Sequence, residues 1–312
     1  MRSLRTLVAS SLTLSLLLAT LLVGNPAQTK AQDNSPKATV LFVVSALQLP
    51  NASVVPFLII EGGQFKQPIA GDSDAAEIES FSREHYSKGR KYRVLFGGSE
   101  AGSLTVTKSN KDEECARTSA DVTLRSQAKL NRNVMALATN SASLGGGKNT
   151  RRPPTAAERA ALMPLVQAAY KQKGLAASLL PGLVTVNLTA LDLNNDGKAE
   201  LVGSFVVKKQ KGGAERYALF LIAEPQGNSY RTTVLQYEKF VEKDIMSGAD
   251  ITIIENGVYL ERLVDGLDFD GDGASEVITQ TDGLEGDSYS IYKKQDGKWN
   301  KVYEFGNYRC GF

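Results

Sequence analysis

Most of the chain between residues 38 and 303 reads as short runs in which β-branched and aromatic positions alternate with polar ones, the period of a half-buried strand. The first runs span 38–44 and 54–61, with Pro50-Asn51 as a turn between them. Further runs at 92–96, 103–108 and 121–124 are separated by glycine-rich or charged turns. One window breaks the period. From 156 to 173, Leu162, Leu165, Val166, Ala169 and Tyr170 recur at helical spacing, Thr155 and Glu158 stand at capping-box positions, and Gly174 closes the run. Pro164 inside it predicts a kink or a split. Strand patterns then resume at 184–191, 201–208, 217–223, 230–237, 251–254, 258–264, 277–281 and 289–294, and Asp296-Gly297 marks a two-residue hairpin turn.

These elements predict a mainly β, α+β fold with one helix and antiparallel pairing. Residues 141–154 (SASLGGGKNTRRPP) are the most loop-like stretch and read as a linker. They would join an N-terminal β-rich region, 32–140, to a helix-plus-β region, 155–312.

Residues 1–31 follow a different logic. Arg2 and Arg5 precede an apolar run at 7–23 diluted by Ser and Thr, and Thr29-Lys30-Ala31 provides a small-residue exit, the pattern of a secretory signal peptide. Cleavage is expected after Ala31, with Ala27 the alternative. An uncleaved anchor is the competing reading, because the run approaches the roughly 18–20 residues that a spanning helix needs. The expected location is secreted or periplasmic, with no transmembrane segment after cleavage.

Composition narrows the chemistry. Lys plus Arg number 36 against 34 Asp plus Glu, which gives no reason to expect nucleic acid or an anionic membrane as partner. Removing 1–31 leaves 33 basic against 34 acidic residues. His85 is the one histidine, and Cys115 and Cys310 are the two cysteines, so zinc fingers and iron–sulfur cages are excluded. Any metal must bind through oxygen. In an oxidising compartment Cys115 and Cys310 are the only possible intramolecular disulfide, and it would close a long loop for roughly 2–5 kcal/mol of stability. Two buried free thiols are the alternative.

Two segments repeat one oxygen-rich pattern, offset by 76 positions. The first carries Asp192, Asn194, Asp196, Gly197, Lys198 and Glu200; the second carries Asp268, Asp270, Asp272, Gly273, Ala274 and Glu276. Side-chain oxygens at loop positions one, three and five can converge on one point. Glycine at six permits the turn, the backbone carbonyl of Lys198 or Ala274 supplies position seven, and the acid at nine closes the shell. Hard oxygen donors in that number select calcium over magnesium. An EF-hand would need Glu at position twelve, where Gly203 and Thr279 stand, and the flanks read as strands. Four acids against three predict that the second loop binds more tightly. Acidic turns without an ion are the competing reading.

In their Leu-Asp-x-[Asn/Asp]-x-Asp-Gly-x-x-Glu-[Leu/Val] setting, the loops resemble FG-GAP (integrin-alpha-like) and VCBS repeat proteins, many of them exported bacterial proteins of unknown role. The resemblance covers 184–310. It is compatible with a small exported bacterial type that has one middle cysteine, two such loops and a Cys-Gly ending, here Cys310-Gly311. It implies calcium held between strands. A seven-bladed propeller at roughly 60 residues per repeat would outrun this chain, so two strand–calcium-loop–strand units are expected instead of a full propeller.

Other motifs carry less. Gly145-Gly146-Gly147-Lys148 lacks the first glycine and the Ser/Thr of a phosphate loop, His85 has no accompanying nucleophile motif, and Trp299, Tyr292 and Tyr303 read as hairpin packing. No catalytic residues are assigned. The expected function is therefore an exported calcium-binding structural or interaction module without catalysis, with an unidentified protein or glycan as partner. The alternative is an exported calcium-stabilised hydrolase of polysaccharide or phosphate esters.

Overall fold

In the computed structural model, residues 38–131, 133–209, 215–245 and 249–310 are described. Residues 1–31, read from the sequence as a signal peptide, lie outside them. Seven strands come first: β1 (Thr39–Gln48), β2 (Asn51–Glu61), β3 (Gln64–Lys66), β4 (Lys91–Phe96), β5 (Ser99–Ser109), β6 (Ala120–Ser126) and β7 (Ala136–Thr139). They pair in the order β1-β7-β4-β5-β6-β2-β3, and β1 also pairs with β2. That extra pairing closes six strands into an antiparallel barrel and removes its edges. Along β1, Val40, Phe42 and Val44 point into the barrel while Leu41 and Val43 point out into a second apolar layer, which is why this strand is buried on both faces.

A helix that the alternation did not predict, α1 (Ala75–His85), caps the barrel. Asp74 accepts hydrogen bonds from the amides of Ala76 and Glu77 at 2.9 Å, starting the helix. Phe81 then packs with the barrel core, and His85 lies 4.4 Å from its ring, so His85 is a packing residue.

The rest of the chain forms two four-stranded antiparallel meanders. The first is β8 (Leu183–Leu191), β9 (Glu200–Lys208), β10 (Glu215–Gln226) and β11 (Ser229–Val241); the second is β12 (Glu261–Leu267), β13 (Glu276–Asp282), β14 (Gly286–Gln295) and β15 (Lys298–Tyr308). Period-two alternation assigns their faces. Leu201, Phe205 and Val207 turn toward α2 (Ala156–Gln172), whereas Val202, Phe220 and Ile222 meet Leu263, Val277 and Tyr292 of the second meander. The opposite face of that second meander, with Val264, Ile278, Tyr289, Ile291 and Phe305, packs on the outside of the barrel. The layers are therefore helix, meander, meander, barrel. The mainly β antiparallel class and the absence of a full seven-bladed propeller match the sequence reading. Among the described residues no helix is long and apolar enough to cross a membrane.

Two local expectations change. Pro164 does not split α2, because Leu162 before it and Val166, Ala169 and Tyr170 after it are all held on the first meander. Residues 251–254 are not a strand. Asp250 accepts from the Thr252 amide at 2.8 Å and starts a 3-10 helix, Ile251–Asn256, which Gly257 ends at φ 99°. The following strand begins only at Glu261.

Cys115 and Cys310 are disulfide-bonded across 195 positions, with Cα atoms 5.1 Å apart, and tie the β5–β6 connection to the chain beyond β15. Residues 141–154 connect the barrel to α2 and are stitched down on the way. Arg93 donates to the carbonyls of Ser141 and Leu144, at 2.7 and 3.0 Å. Arg151 is buried at the junction, where its guanidinium donates to the Met135 and Val264 carbonyls and to Asp265 at 3.2 Å. The Asp265 side chain is fully buried and also accepts from the Gly97 amide at 2.8–2.9 Å.

Burial pushes the Asp265 carboxyl from 3.8 up to about 6, against the opposing pull of Arg151 and the Gly97 amide. The folded state thus holds this proton more tightly than the unfolded chain does. The contribution is fully present below the unfolded value and is lost as pH rises through about 6, a change on the order of 3 kcal/mol. Urea midpoints measured in the presence of chelator should therefore rise from pH 7 to pH 5. Asp265→Asn should be destabilised at both pH values and should reduce that rise, leaving the share of Glu200 and Asp287, whose carboxyls burial also raises; a variant with the wild-type slope would contradict this assignment.

Candidate functional site

Both oxygen-rich loops occupy the same place in their meanders, joining the first strand to the second. Their backbones agree position by position. The fourth and sixth residues are left-handed in each, Asn195 at φ 57° with Gly197 at 81°, and Gly271 at 76° with Gly273 at 87°. The first acid accepts from the amide of the sixth residue: Asp192 from Gly197 at 2.8 Å, Asp268 from Gly273 at 3.0 Å. The fifth accepts from the seventh, Asp196 from the Lys198 amide and Asp272 from the Ala274 amide, both at 2.8 Å. The ninth reaches back to the second, Glu200 to the Leu193 amide at 2.7 Å and Glu276 to the Phe269 amide at 3.1 Å. Backbone donors thus hold both oxygens of Asp192 and Asp268, which also accept from the amides of Asp196 and Gly271, and at least one oxygen of each other acid, and so fix the loop shape.

The loops also touch each other. Asn195 Nδ2 donates to the Gly273 carbonyl at 2.6 Å, and the Ser275 amide donates to the Leu193 carbonyl at 2.6 Å. Leu193 is itself buried between the meanders. The two loops are one continuous surface feature.

Their surroundings differ in charge. In the second loop, carboxylate oxygens of Asp268, Asp270 and Glu276 all lie within 4.8 Å of one another. Lys293 of β14 donates to Asp270, Asp272 and Glu276 at 2.6, 3.0 and 2.7 Å. Burial alone would lower the Lys293 ammonium, but these three carboxylates outweigh it and hold the lysine well above its ordinary range. Register explains the contact: Val277 pairs with Tyr292, so the next positions outward are Glu276 and Lys293. In the first meander Leu201 pairs with Ala223, and the corresponding position beside Glu200 is Glu224. Glu224 is turned to Arg231 at 3.0 Å and to Lys294. Glu200 has no lysine contact of that kind; burial raises its carboxyl to about 7, with Asp192 and Asp196 adding to the rise.

The structure places the expected acids at the same joint of each meander, with Glu200 and Glu276 as the first residues of β9 and β13, and adds Lys293, Glu224 and the contact between loops, which the sequence reading missed. The Lys293-Lys294 pair was visible, but which lysine faces Glu276 depends on hairpin register, which a one-residue slip reverses.

No family model, curated protein or solved structure matches this chain. The reading of the loops therefore rests on their own geometry and chemistry.

A Cβ on Gly273 would meet nothing within 4 Å, yet its φ of 87° is one that L-residues resist. Gly273→Ala should therefore cost about 1–2 kcal/mol through backbone strain alone. Chemical denaturation checks it, and an unchanged midpoint would show that the loop relaxes freely.

Proposed function

We propose that the protein is an exported, β-rich structural or interaction module without catalysis, in which calcium stabilises two strand-flanked loops of the FG-GAP/VCBS-like kind. The observation that carries this reading is the duplicated loop geometry: the same left-handed positions and the same three acid-to-amide contacts at the same joint of two meanders. Acidic turns with no further purpose need not repeat so closely. The Cys115–Cys310 disulfide supports export, since such bonds persist in oxidising compartments, and the pattern at 1–31 points the same way.

The donor set fits the metal. Asp268, Asp270, Asp272 and Glu276 offer hard oxygens, and in the first loop Asp192, Asn194, Asp196 and Glu200 do the same. The order of affinity needs revising, however. Lys293 offsets one of the four acids of the second loop, so the advantage expected from charge count disappears there. Calcium entering that loop must displace an ammonium that already satisfies three carboxylates.

At a tenfold excess over its dissociation constant, calcium at one such site adds roughly 1.4 kcal/mol. Thermal melts should show a midpoint that rises with millimolar calcium and falls back with chelator, and Asp268→Ala combined with Asp272→Ala should remove part of the rise. Lys293→Met should melt lower than wild type in chelator, because the carboxylates lose their cation, and should gain more from calcium, with about tenfold tighter binding at the second loop. An absence of any calcium response in both wild type and Lys293→Met would end the proposal.

A further inference from the structure

The two oxygen-rich loops are tied together through one bridging residue in each, and the two ties are built alike. Leu193 donates its amide to Glu200 of its own loop at 2.7 Å, while its carbonyl accepts from the Ser275 amide of the second loop at 2.6 Å. Gly273 donates its amide to Asp268 of its own loop at 3.0 Å, while its carbonyl accepts from Asn195 Nδ2 of the first loop at 2.6 Å. Each bridging residue is gripped on one side by an acid expected to hold the ion and on the other by the opposite loop. We infer that the two loops bind calcium cooperatively, occupancy of either one setting the shape of the other. This coupling presupposes the calcium reading proposed above and adds how its two sites regulate each other.

Planarity of the peptide group carries the effect. The Ser275 N–H and the Ala274 carbonyl belong to one trans peptide, so they point in opposite directions. With the N–H held on Leu193, the Ala274 carbonyl, which the spacing assigns to position seven, is aimed away from the first loop. The preceding peptide is pinned at both ends, its Gly273 carbonyl by Asn195 and its Ala274 N–H by Asp272 at 2.8 Å. In the other direction, the Leu193 carbonyl shares its peptide with the amide of Asn194, the residue at position three of the first loop. A cation on a peptide oxygen polarises the group and strengthens its N–H as a donor, so the Ser275 to Leu193 bond gains when the second loop is loaded.

The loops are held close enough for this to matter. Leu193 is buried between the meanders with Val202, Phe220, Leu263 and Val277. It seats there because β12 carries glycine at 266, where a Cβ would lie 2.9 Å from Leu193 Cδ2. Repulsion between two ions is muted by the loops themselves: their seven acids against Lys198 and Lys293 leave five net negative charges, so the surface is still acidic after the first ion enters.

Backbone NMR of the protein titrated with calcium chloride reads each loop separately, through the amides of Gly197 and Gly273. Both signals should move in one shared transition with a Hill coefficient above unity. Asn195→Gly tests the route, because glycine adopts φ 57° freely and the change alters no charge and no ligand position. It should separate the two transitions and move that of Gly273 to about fivefold higher calcium. In chelator the same variant should exchange its Ser275 amide proton faster than wild type, a readout that needs no ion. If the variant does not fold, the wild-type Hill coefficient decides alone. Independent transitions with coefficients of unity in the wild type, or an Asn195→Gly variant that titrates as wild type does, overturn the coupling and leave the calcium reading standing. Calcium at one loop only overturns the coupling as well. No response at either loop overturns the calcium reading, and the coupling with it.

Discussion

A buried carboxylate is tolerable only when its partners arrive with it, and Asp265 draws its partners from two distant parts of the chain. Arg151 lies 114 positions away, on the strap that leaves the barrel, and Gly97 stands 168 positions away, at the β4–β5 turn. Gly97 has φ 63°, and a Cβ there would meet Asn149 Oδ1 at 2.2 Å and Arg151 Cβ at 2.7 Å. Only glycine lets the turn, the strap and β12 come this close. The same guanidinium lies 4.4 Å from the centre of the Phe96 ring and holds the Met135 and Val264 carbonyls. Barrel, strap and second meander are thus joined at one polar point inside an otherwise apolar layer of Leu41, Val43, Leu58, Leu95, Leu137 and Val264. The apolar layer supplies most of the favourable energy, and the ion pair dictates which residues meet.

This joint explains how two meanders suffice. A repeated unit buries each face against a neighbour, and the units at either end need a cap. Here α2 covers the outer face of the first meander and the barrel covers that of the second. No further copies are needed to hide apolar surface. The arrangement also brings the two oxygen-rich loops side by side, where the Asn195 to Gly273 and Ser275 to Leu193 hydrogen bonds make each a support of the other. Two loops that began as identical patterns then diverge through a single neighbouring position, Lys293 in one meander and Glu224 in the other.

What could be read in the sequence follows from how local each determinant is. The strands of both meanders were legible as runs of β-branched and aromatic residues bounded by turn residues, including β9 and β12, which are buried nearly throughout. The Thr155–Glu158 capping box marked the start of α2, and the structure forms both of its hydrogen bonds, at 3.2 and 2.7 Å. The four residues of β7 are all buried and show no alternation, so the strand gave no periodic signal. Nor could closure of the barrel be read, since β1 pairs with β7 nearly 100 positions on. The α1 helix had a local signal, Asp74 followed by Glu77, but only a short apolar face behind it. In the loops, spacing located every acid, while Lys293 depended on register across a hairpin. Arg151 looked like one of three loop charges in a glycine-rich stretch, with Lys148 and Arg152, because burial of a charge is decided by what packs over it.

Two polar clusters occupy the same interface. Around Asp265 the carboxylate is closed: both oxygens accept from Gly97, and Arg151 completes the pairing. Around Asp282 the carboxylate accepts from Arg262 and from Gln280 Nε2, and the Gln280 carbonyl is buried without a donor. The nearby rim is also held firmly, by the Cys115–Cys310 bond and by Asn307, which accepts from the Gly71 amide at 3.1 Å and from Thr118 at 3.2 Å. Both clusters leave one buried polar atom without a partner, Arg151 Nη2 beside Asp265 and Gln280 Oε1 beside Asp282, so at each joint the packing of barrel against meander outweighs a missing hydrogen bond.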